Sequence, residues 1–460
     1  MNYLIVRFEV RDEISLFQRD YCQTPTMFNR AAKYLKLLIC VILLNCINSL
    51  MTNGQSANEP VSDSVCVQKD LADVISDWRH KAPKVKPEGG GSLLLVPVIG
   101  TSPATGFTYG VAGQYAFKMN KENTLYSIFS INGSYTAKNQ TLFQLKNNVY
   151  TKNNKIFFSG DWRYLIFSQP TYGLGTNSPE GGVLKYQYDL NGQETSSDSL
   201  AQPMNFNFVR FHQTVSFELK KGLYAGLGYH LDYYYQIVDQ KLNLAAPLYT
   251  SHYTYNTYYG FNTQQYASSA LNLNFLYDTR DNMINAQKGY FVQLSLRVAP
   301  KFMGNEKSSE FVSLEWRSFH GLSKRNPRHL VSFWVLGNFS PAGEFPYLSL
   351  PALGYDQRGR SGRGYAQGRF RGANLVYSEA EYRFPISRCG GIIGGVLFVN
   401  ATTTDSPNPQ SPVKLFNYIA PGYGFGFRMM VDKRSRTNLQ LDFAFGNNST
   451  GIYLGAAETF

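Results

Sequence analysis

The 460-residue chain is short of charge, with Asp, Glu, Lys and Arg making up 17% of it. It also lacks long apolar runs. A membrane-spanning helix needs about 20 consecutive apolar residues, and one stretch alone, Leu37–Leu50, comes near, broken by Asn45 and Asn48. With a mean hydropathy of −0.28, these lacks exclude a polytopic helical membrane protein. Histidine numbers 6 and tryptophan 4. No HxxxH or CxxC spacing occurs, so no metal centre is expected. None of His212, His230, His252, His320 or His329 has a serine two residues on, the same-face spacing of a strand. A hydrolase of the lipid-facing His/Ser kind is therefore not expected. The run Gly359–Gly364 lacks the Lys-Ser/Thr ending of a phosphate loop. The chain reads as no enzyme and as needing no cofactor.

What is abundant points elsewhere. Aromatics reach 15%, with Tyr 33 and Phe 32, Gly is 40, and the net charge is +12. Low charge, many aromatics and glycines, and no long apolar runs fit a β-protein that presents alternating faces to two solvents.

Residues Met27–Gly54 hold Arg30, Lys33 and Lys36 ahead of the apolar core Leu37–Leu50, with small residues Thr52 and Gly54 before Gln55. This reads as a secretory signal peptide, with a single membrane anchor as the alternative. The expected organisation is a signal peptide over residues 1–54 with the effective start at Met27, a periplasmic segment over 55–91, and one β-domain over 92–460. In the middle segment, Leu71, Val74, Ile75 and Trp78 recur at helical spacing and predict one short helix within Lys69–Lys81. Beyond residue 54 the cysteines are Cys66 and Cys389. Both are expected on the oxidising periplasmic side, where a disulfide between them would tie the helix under the sheet; two separate buried thiols are the alternative.

Residues 92–460 alternate with period 2. Val312, Leu314 and Trp316 alternate with Ser313, Glu315 and Arg317, and Leu439, Leu441, Phe443 and Phe445 with Asn438, Gln440 and Asp442. One face is apolar and the other polar, as in a strand with lipid outside and water or polar packing inside. The pattern predicts sixteen strands, the last running over 450–460. Short turns follow even strands, and the long connections Phe167–Pro203, Val238–Gln264, Ala342–Arg369 and Thr403–Asn417 follow odd ones. The expected fold is an all-β, 16-stranded antiparallel transmembrane β-barrel in the Gram-negative outer membrane, both termini periplasmic, closed by pairing of its first and last strands.

The third of those connections concentrates Arg358, Arg360, Arg363 and Arg369. A guanidinium folded into an interior needs a carboxylate partner. In the next strand Val376, Ser378, Ala380, Tyr382 and Phe384 share one face, so Glu379 and Glu381 point inward. The chain ends Tyr453-Leu-Gly455-Ala-Ala-Glu458-Thr-Phe460, similar to the β-signal by which outer-membrane barrels are recognised by their assembly machinery.

Three further segments, Leu276-Tyr-Asp278-Thr-Arg280-Asp281-Asn282, Gly362-Arg363-Gly364-Tyr365 and Glu379-Ala-Glu381-Tyr382-Arg383-Phe384-Pro385, appear in the order and spacing of the BamA/TamA-like bacterial surface antigen superfamily. With Gly422-Tyr-Gly424-Phe-Gly426-Phe-Arg428, the resemblance covers most of 270–460. It implies that Arg363 is held by a wall glutamate, at Glu381, and by an aspartate on the following strand. That position is Asn400 here, which would leave Arg363 one carboxylate short, with Glu379 a substitute. The family's aliphatic residue before the arginine is Gly362. The resemblance also implies periplasmic POTRA modules, for which 55–91 leaves no room, so a POTRA-less variant is expected.

The resulting expectation is a non-enzymatic assembly or export factor passing clients through a lateral seam between 92–100 and 450–460, where Glu458, Thr459, Gly451 and Gly455 weaken pairing. A pore constricted by the arginine loop, and a surface-interaction protein using Tyr249–Tyr266, are the alternatives. Expected partners are outer-membrane lipids, the assembly machinery for its own insertion, and an unidentified periplasmic or lipoprotein partner, but no nucleic acid.

Overall fold

The computed structural model describes residues 66–80, 91–102, 106–119, 124–177, 188–190, 193–195, 201–246, 249–387, 389, 391–407, 412–456 and 458–460. The signal-peptide reading of 1–54 and the start at Met27 lie outside the described residues. Ahead of the sheet is helix α1, Leu71–Trp78. It is opened by a reciprocal cap in which Asp70 accepts from the Asp73 backbone and Asp73 from the Asp70 backbone.

The alternating segments form strands β1 Ser92–Ser102, β2 Gly106–Phe117, β3 Ser127–Thr136, β4 Thr141–Tyr150 and β5 Ile156–Thr171. A small hairpin, β6 Tyr188–Leu190 and β7 Gln193–Thr195, stands apart. The sheet continues with β8 Gln202–Lys220, β9 Leu223–Asp239, β10 Tyr266–Asp278, β11 Gly289–Ala299, β12 Ser309–Gly321 and β13 Leu330–Gly343. It ends with β14 Asn374–Pro385, β15 Ile393–Thr404, β16 Ala420–Asp432, β17 Thr437–Gly446 and β18 Ser449–Ala456. Helix α2, Ser251–Tyr258, lies in the β9–β10 connection.

The closed barrel expected from the sequence is corrected here. The sixteen strands form one antiparallel sheet in which each pairs with its neighbour in the chain, but the order begins at β1 and stops at β18, and among the described residues no ladder joins these two. The physical reason lies in the last strand. β18 was expected to run to Phe460 but ends at Ala456, and beyond it Glu458 and Phe460 are buried away from the edge, 2% exposed each. The residues that would have extended this edge alongside β1 are thus drawn into the interior, while Ser449–Ala456 keeps its strand. The sheet still curls, bringing Gln114 of β2 to within 3.4 Å of Thr437 of β17.

The two faces separate as the alternation requires. Leu93, Leu227, Leu397, Val399, Ile452 and Leu454 are exposed, between 50% and 74%. Asn272, Asn274, Ser216, Arg317 and Asp442 are buried on the other side. An apolar outside around a polar inside is the arrangement lipid selects and water does not. At the long-connection end, Phe206, Phe208, Tyr234, Tyr266, Phe345 and Tyr347 belong to one apolar cluster. The Tyr249–Tyr266 segment is partly drawn into that packing: Tyr255 and Tyr266 are 2% and 3% exposed, whereas Tyr258 stays open.

Candidate functional site

The connection between β13 and β14, residues 344–373, folds back into the interior. It is a compact unit before it touches the wall. The backbone N–H of Leu353 donates to Phe370 at 2.9 Å and that of Gly368 to Leu353 at 2.8 Å. The Asp356 carboxylate accepts from the Ser361 and Arg360 backbones at 2.9 and 3.2 Å, and Arg371 spans the carbonyls of Tyr347, Leu348 and Leu350 at 3.1, 2.8 and 3.3 Å.

At its apex Arg363 is 3% exposed. Its guanidinium donates to both Glu379 oxygens, at 2.6 and 3.2 Å, to Asp442 at 2.8 Å, and to Glu381. Its Cζ lies 3.5 Å from the Phe398 ring centroid. The flanking glycines set the approach. Gly364 has φ +100°, and a Cβ there would meet the backbone of Phe445 at 2.9 Å; Gly362, at φ +85°, lies against Leu353. Tyr365 donates to the Pro421 carbonyl at 2.5 Å and accepts from the Asn447 backbone at 2.9 Å.

The anticipated carboxylate shortfall does not arise. Asn400 instead donates its amide to the Arg363 carbonyl at 3.0 Å. The missing charge comes from Asp442 on β17, whose inward direction follows from the alternation but whose partner lies across the interior, where no spacing rule reaches. Asp442 also accepts from Arg428, which donates to Glu458 at 2.6 Å, while Arg383 donates to Glu381 at 2.7 Å. Three arginines thus share four carboxylates. Tyr377 donates to Glu379 at 2.5 Å and Asn438 to Glu458 at 2.6 Å, covering remaining lone pairs. Removing one charged member of such a buried set leaves its partners' charges uncompensated.

The C-terminal signature residues join the same set. Tyr453 of β18 accepts from the Gly364 backbone at 3.0 Å, and a Cβ at Gly455 would approach Arg360, which donates to the Ala456 carbonyl at 3.1 Å. The Phe460 ring sits 5.4 Å from Trp334 and 6.2 Å from Phe319, and its carbonyl accepts from Arg383 at 3.2 Å. Glu458, read from sequence as a polar seam residue, is instead an interior ion-pair partner.

The other flank of the loop faces β5, β8 and β9. Arg163 holds Asp161 bidentately at 2.8 and 2.6 Å and reaches the Asp356 carbonyl at 3.1 Å. Arg210 holds Asp232 at 2.6 Å and reaches the Tyr355 carbonyl at 3.3 Å. His212 pairs with Asp232 at 3.0 Å and stacks on His230 at 4.2 Å. A polar cavity of about 190 Å³ lies between this wall and the loop. Nothing in the sequence reading identified this flank, because the loop partners of its arginines are main-chain oxygens and its side-chain bonds come from the neutral Gln357 and Tyr355.

Outside the sheet, Cys66 and Cys389 are joined, with Cα atoms 5.1 Å apart. Among the described residues, no group of three or more His, Cys, Asp or Glu side chains is placed to hold a metal ion.

An Omp85 superfamily domain matches residues 171–460, more than half of the chain. Among solved structures, BamA from Haemophilus ducreyi lacking POTRA domains 1–3 is similar at 14% identity and TM-score 0.48, over 80% of this chain and 69% of that one. CdiB from Acinetobacter baumannii is similar at 12% identity and TM-score 0.45, and CdiB from Escherichia coli at 9% and 0.47. This chain spans 59% and 63% of the length of those two proteins. No curated protein matches it. The superfamily's general role is in protein insertion and translocation at the Gram-negative outer membrane. On the domain match, this chain belongs to the Omp85 superfamily.

Proposed function

We propose that the chain is an outer-membrane assembly or export factor whose client passes at the unpaired edges of β1 and β18, with the loop 344–373 fastened inside by Arg363. The observation that carries this reading is the combination of an open strand order with a fully paired Arg363. An unpaired edge offers main-chain donors and acceptors to an incoming strand. A fastened loop keeps the rest of the sheet in place while that edge exchanges partners.

In this reading both termini are periplasmic, residues 1–54 are removed on export, 55–91 remain periplasmic, and 92–460 form the membrane-embedded sheet. The partners are outer-membrane lipids, the machinery that inserts the chain itself, and a periplasmic or lipoprotein factor that delivers the client. Tyr453, Gly455 and Phe460 act in recognition of the newly made chain before they take their interior positions. A passive pore is the weaker reading, because the loop occupies the interior that ions would cross.

The test is a covalent lock. In a Cys66→Ser, Cys389→Ser background, Leu94→Cys is paired in turn with Gly451→Cys, Tyr453→Cys and Gly455→Cys, and outer-membrane protein content is followed under oxidation and after reduction. The expected result is a loss under oxidation that reduction restores. Full complementation by an oxidised, crosslinked chain would sink the reading.

A further inference from the structure

Helix α1 is docked the wrong way round for a helix in water. Its apolar positions Leu71, Val74, Ile75 and Trp78 share one face, yet the face that meets the protein is the acidic one. Asp70 and Asp73 are 7% and 9% exposed. The Lys433 backbone donates to Asp70 at 3.2 Å and its ammonium to Asp73 at 2.6 Å. Trp78 is 77% exposed, Val74 40%, Ile75 39%, and Val67 just ahead of the helix 78%.

The path of the segment says what those side chains face. The Cys66 backbone donates to Arg325 in the β12–β13 turn at 2.9 Å, its sulfur is bonded to Cys389 in the β14–β15 turn, and α1 rests on Lys433 in the β16–β17 turn. Those are successive turns at one end of the sheet, so the segment follows the rim of the wall. Leu322 and Ile386 on the same turns are 53% and 51% exposed, and they continue the apolar outer surface of the strands onto the rim. The exposed charge there is predominantly basic, with Arg79, Lys324 and Arg325 open, while Lys433 is paired with Asp73. The exposed acid of the helix, Asp77, is paired with Lys69 at 2.8 Å.

We infer that α1 is an interfacial helix that lies on the surface of an anionic phospholipid leaflet, its apolar face entering the headgroup boundary. An amphipathic helix with tryptophan on its apolar side and cations at its margin binds such a surface by buried apolar area and by attraction to anionic headgroups. The polar docking face and the disulfide fix the helix so that this binding sets the depth and tilt of the C-terminal half of the sheet.

The full chain as exported from cells is reconstituted in bilayers of phosphatidylglycerol with phosphatidylcholine brominated near the headgroup or near the chain ends. The contribution of Trp78 is read as the difference between wild type and Trp78→Phe, each shown to be folded by its gel shift on heating. The expected result is a loss of Trp78 emission, larger with bromine near the headgroup than near the chain ends. That loss shrinks when phosphatidylglycerol is replaced by phosphatidylcholine, and also in Val74→Ser/Ile75→Ser, which keeps Trp78 and the folded gel shift. Emission that stays water-exposed and unquenched overturns the inference. So does emission that is shielded but indifferent to bromine, which would mean that protein covers the helix.

Discussion

The loop inside the sheet is fastened on two flanks by opposite chemistry. Towards β14 and β17 the loop supplies the cation, Arg363, and the wall supplies the carboxylates Glu379, Glu381 and Asp442. Towards β5 and β8 the wall supplies the cations, Arg163 and Arg210, and the loop meets them with the carbonyls of Asp356 and Tyr355, adding neutral side-chain bonds from Gln357 and Tyr355 to β5. The first arrangement depends on side chains and leaves a motif in the sequence. The second depends on backbone shape, and any residue could stand at 355 or 356 as far as the carbonyl contacts are concerned. The energetic stakes differ accordingly, since removing one partner of a buried ion set strands the rest, whereas losing a hydrogen bond to a neutral group costs far less.

Arg363→Met tests the first flank and carries the largest expected effect. It should destabilise the folded chain by about 3–5 kcal/mol, because the Glu379 charge stays buried without its cation and Asp442 keeps Arg428 alone. Urea unfolding in lipid vesicles, followed by loss of the heat-dependent gel shift, measures it; an unchanged midpoint would show that the pairs contribute nothing. Phe460→Ala comes next, at about 3 kcal/mol by the same assay, since it empties the space against Trp334 and Phe319. Gln357→Ala probes the second flank. It removes bonds from the Gln357 amide to Ser159 and Gly160 at 3.2 Å each and should cost about 1 kcal/mol. If it matches Arg363→Met, the contrast between the flanks is wrong.

The smallest effect concerns α1. Burial works to raise the Asp73 carboxyl, but the Lys433 hydrogen bond and the Asp70 backbone outweigh it and hold the group below its ordinary 3.8. A carboxyl depressed in the folded state contributes stability above its unfolded value and loses it as pH falls through the folded one. Amide protection in α1, taken relative to the intrinsic exchange rate at each pH, should therefore be flat from neutral pH down to about 4 and fall only below it. A loss of protection near neutrality would point to a different contact.

The strands were legible because alternation records which face each residue takes, and the faces differ in solvent. That Glu379 and Glu381 face inward was legible for the same reason, and the rule that a buried guanidinium must be paired called for a loop arginine beside them; that it is Arg363 came from the resemblance of Gly362–Tyr365 to the family's loop motif. Three things were not. Alternation assigns Asp442 to the inside without saying what stands opposite it. The carbonyl contacts of the second flank have no side-chain signature. The withdrawal of the C-terminus depends on Glu458 meeting Arg428, 30 positions away in the chain, and on an aromatic pocket for Phe460, neither of which a strand pattern can weigh against continued pairing. The sequence therefore predicted a closed sheet where an open one forms.

The bond between Cys66 and Cys389 spans 323 positions, and every strand from β1 to β14 lies between its two ends. Once oxidised, that part of the polypeptide is a ring whose C-terminal tail carries β15 to β18. A ring has no loose end to thread, so if oxidation precedes insertion, the twelve sheet strands within it must enter the bilayer as a lasso, with the four strands of the tail completing the sheet.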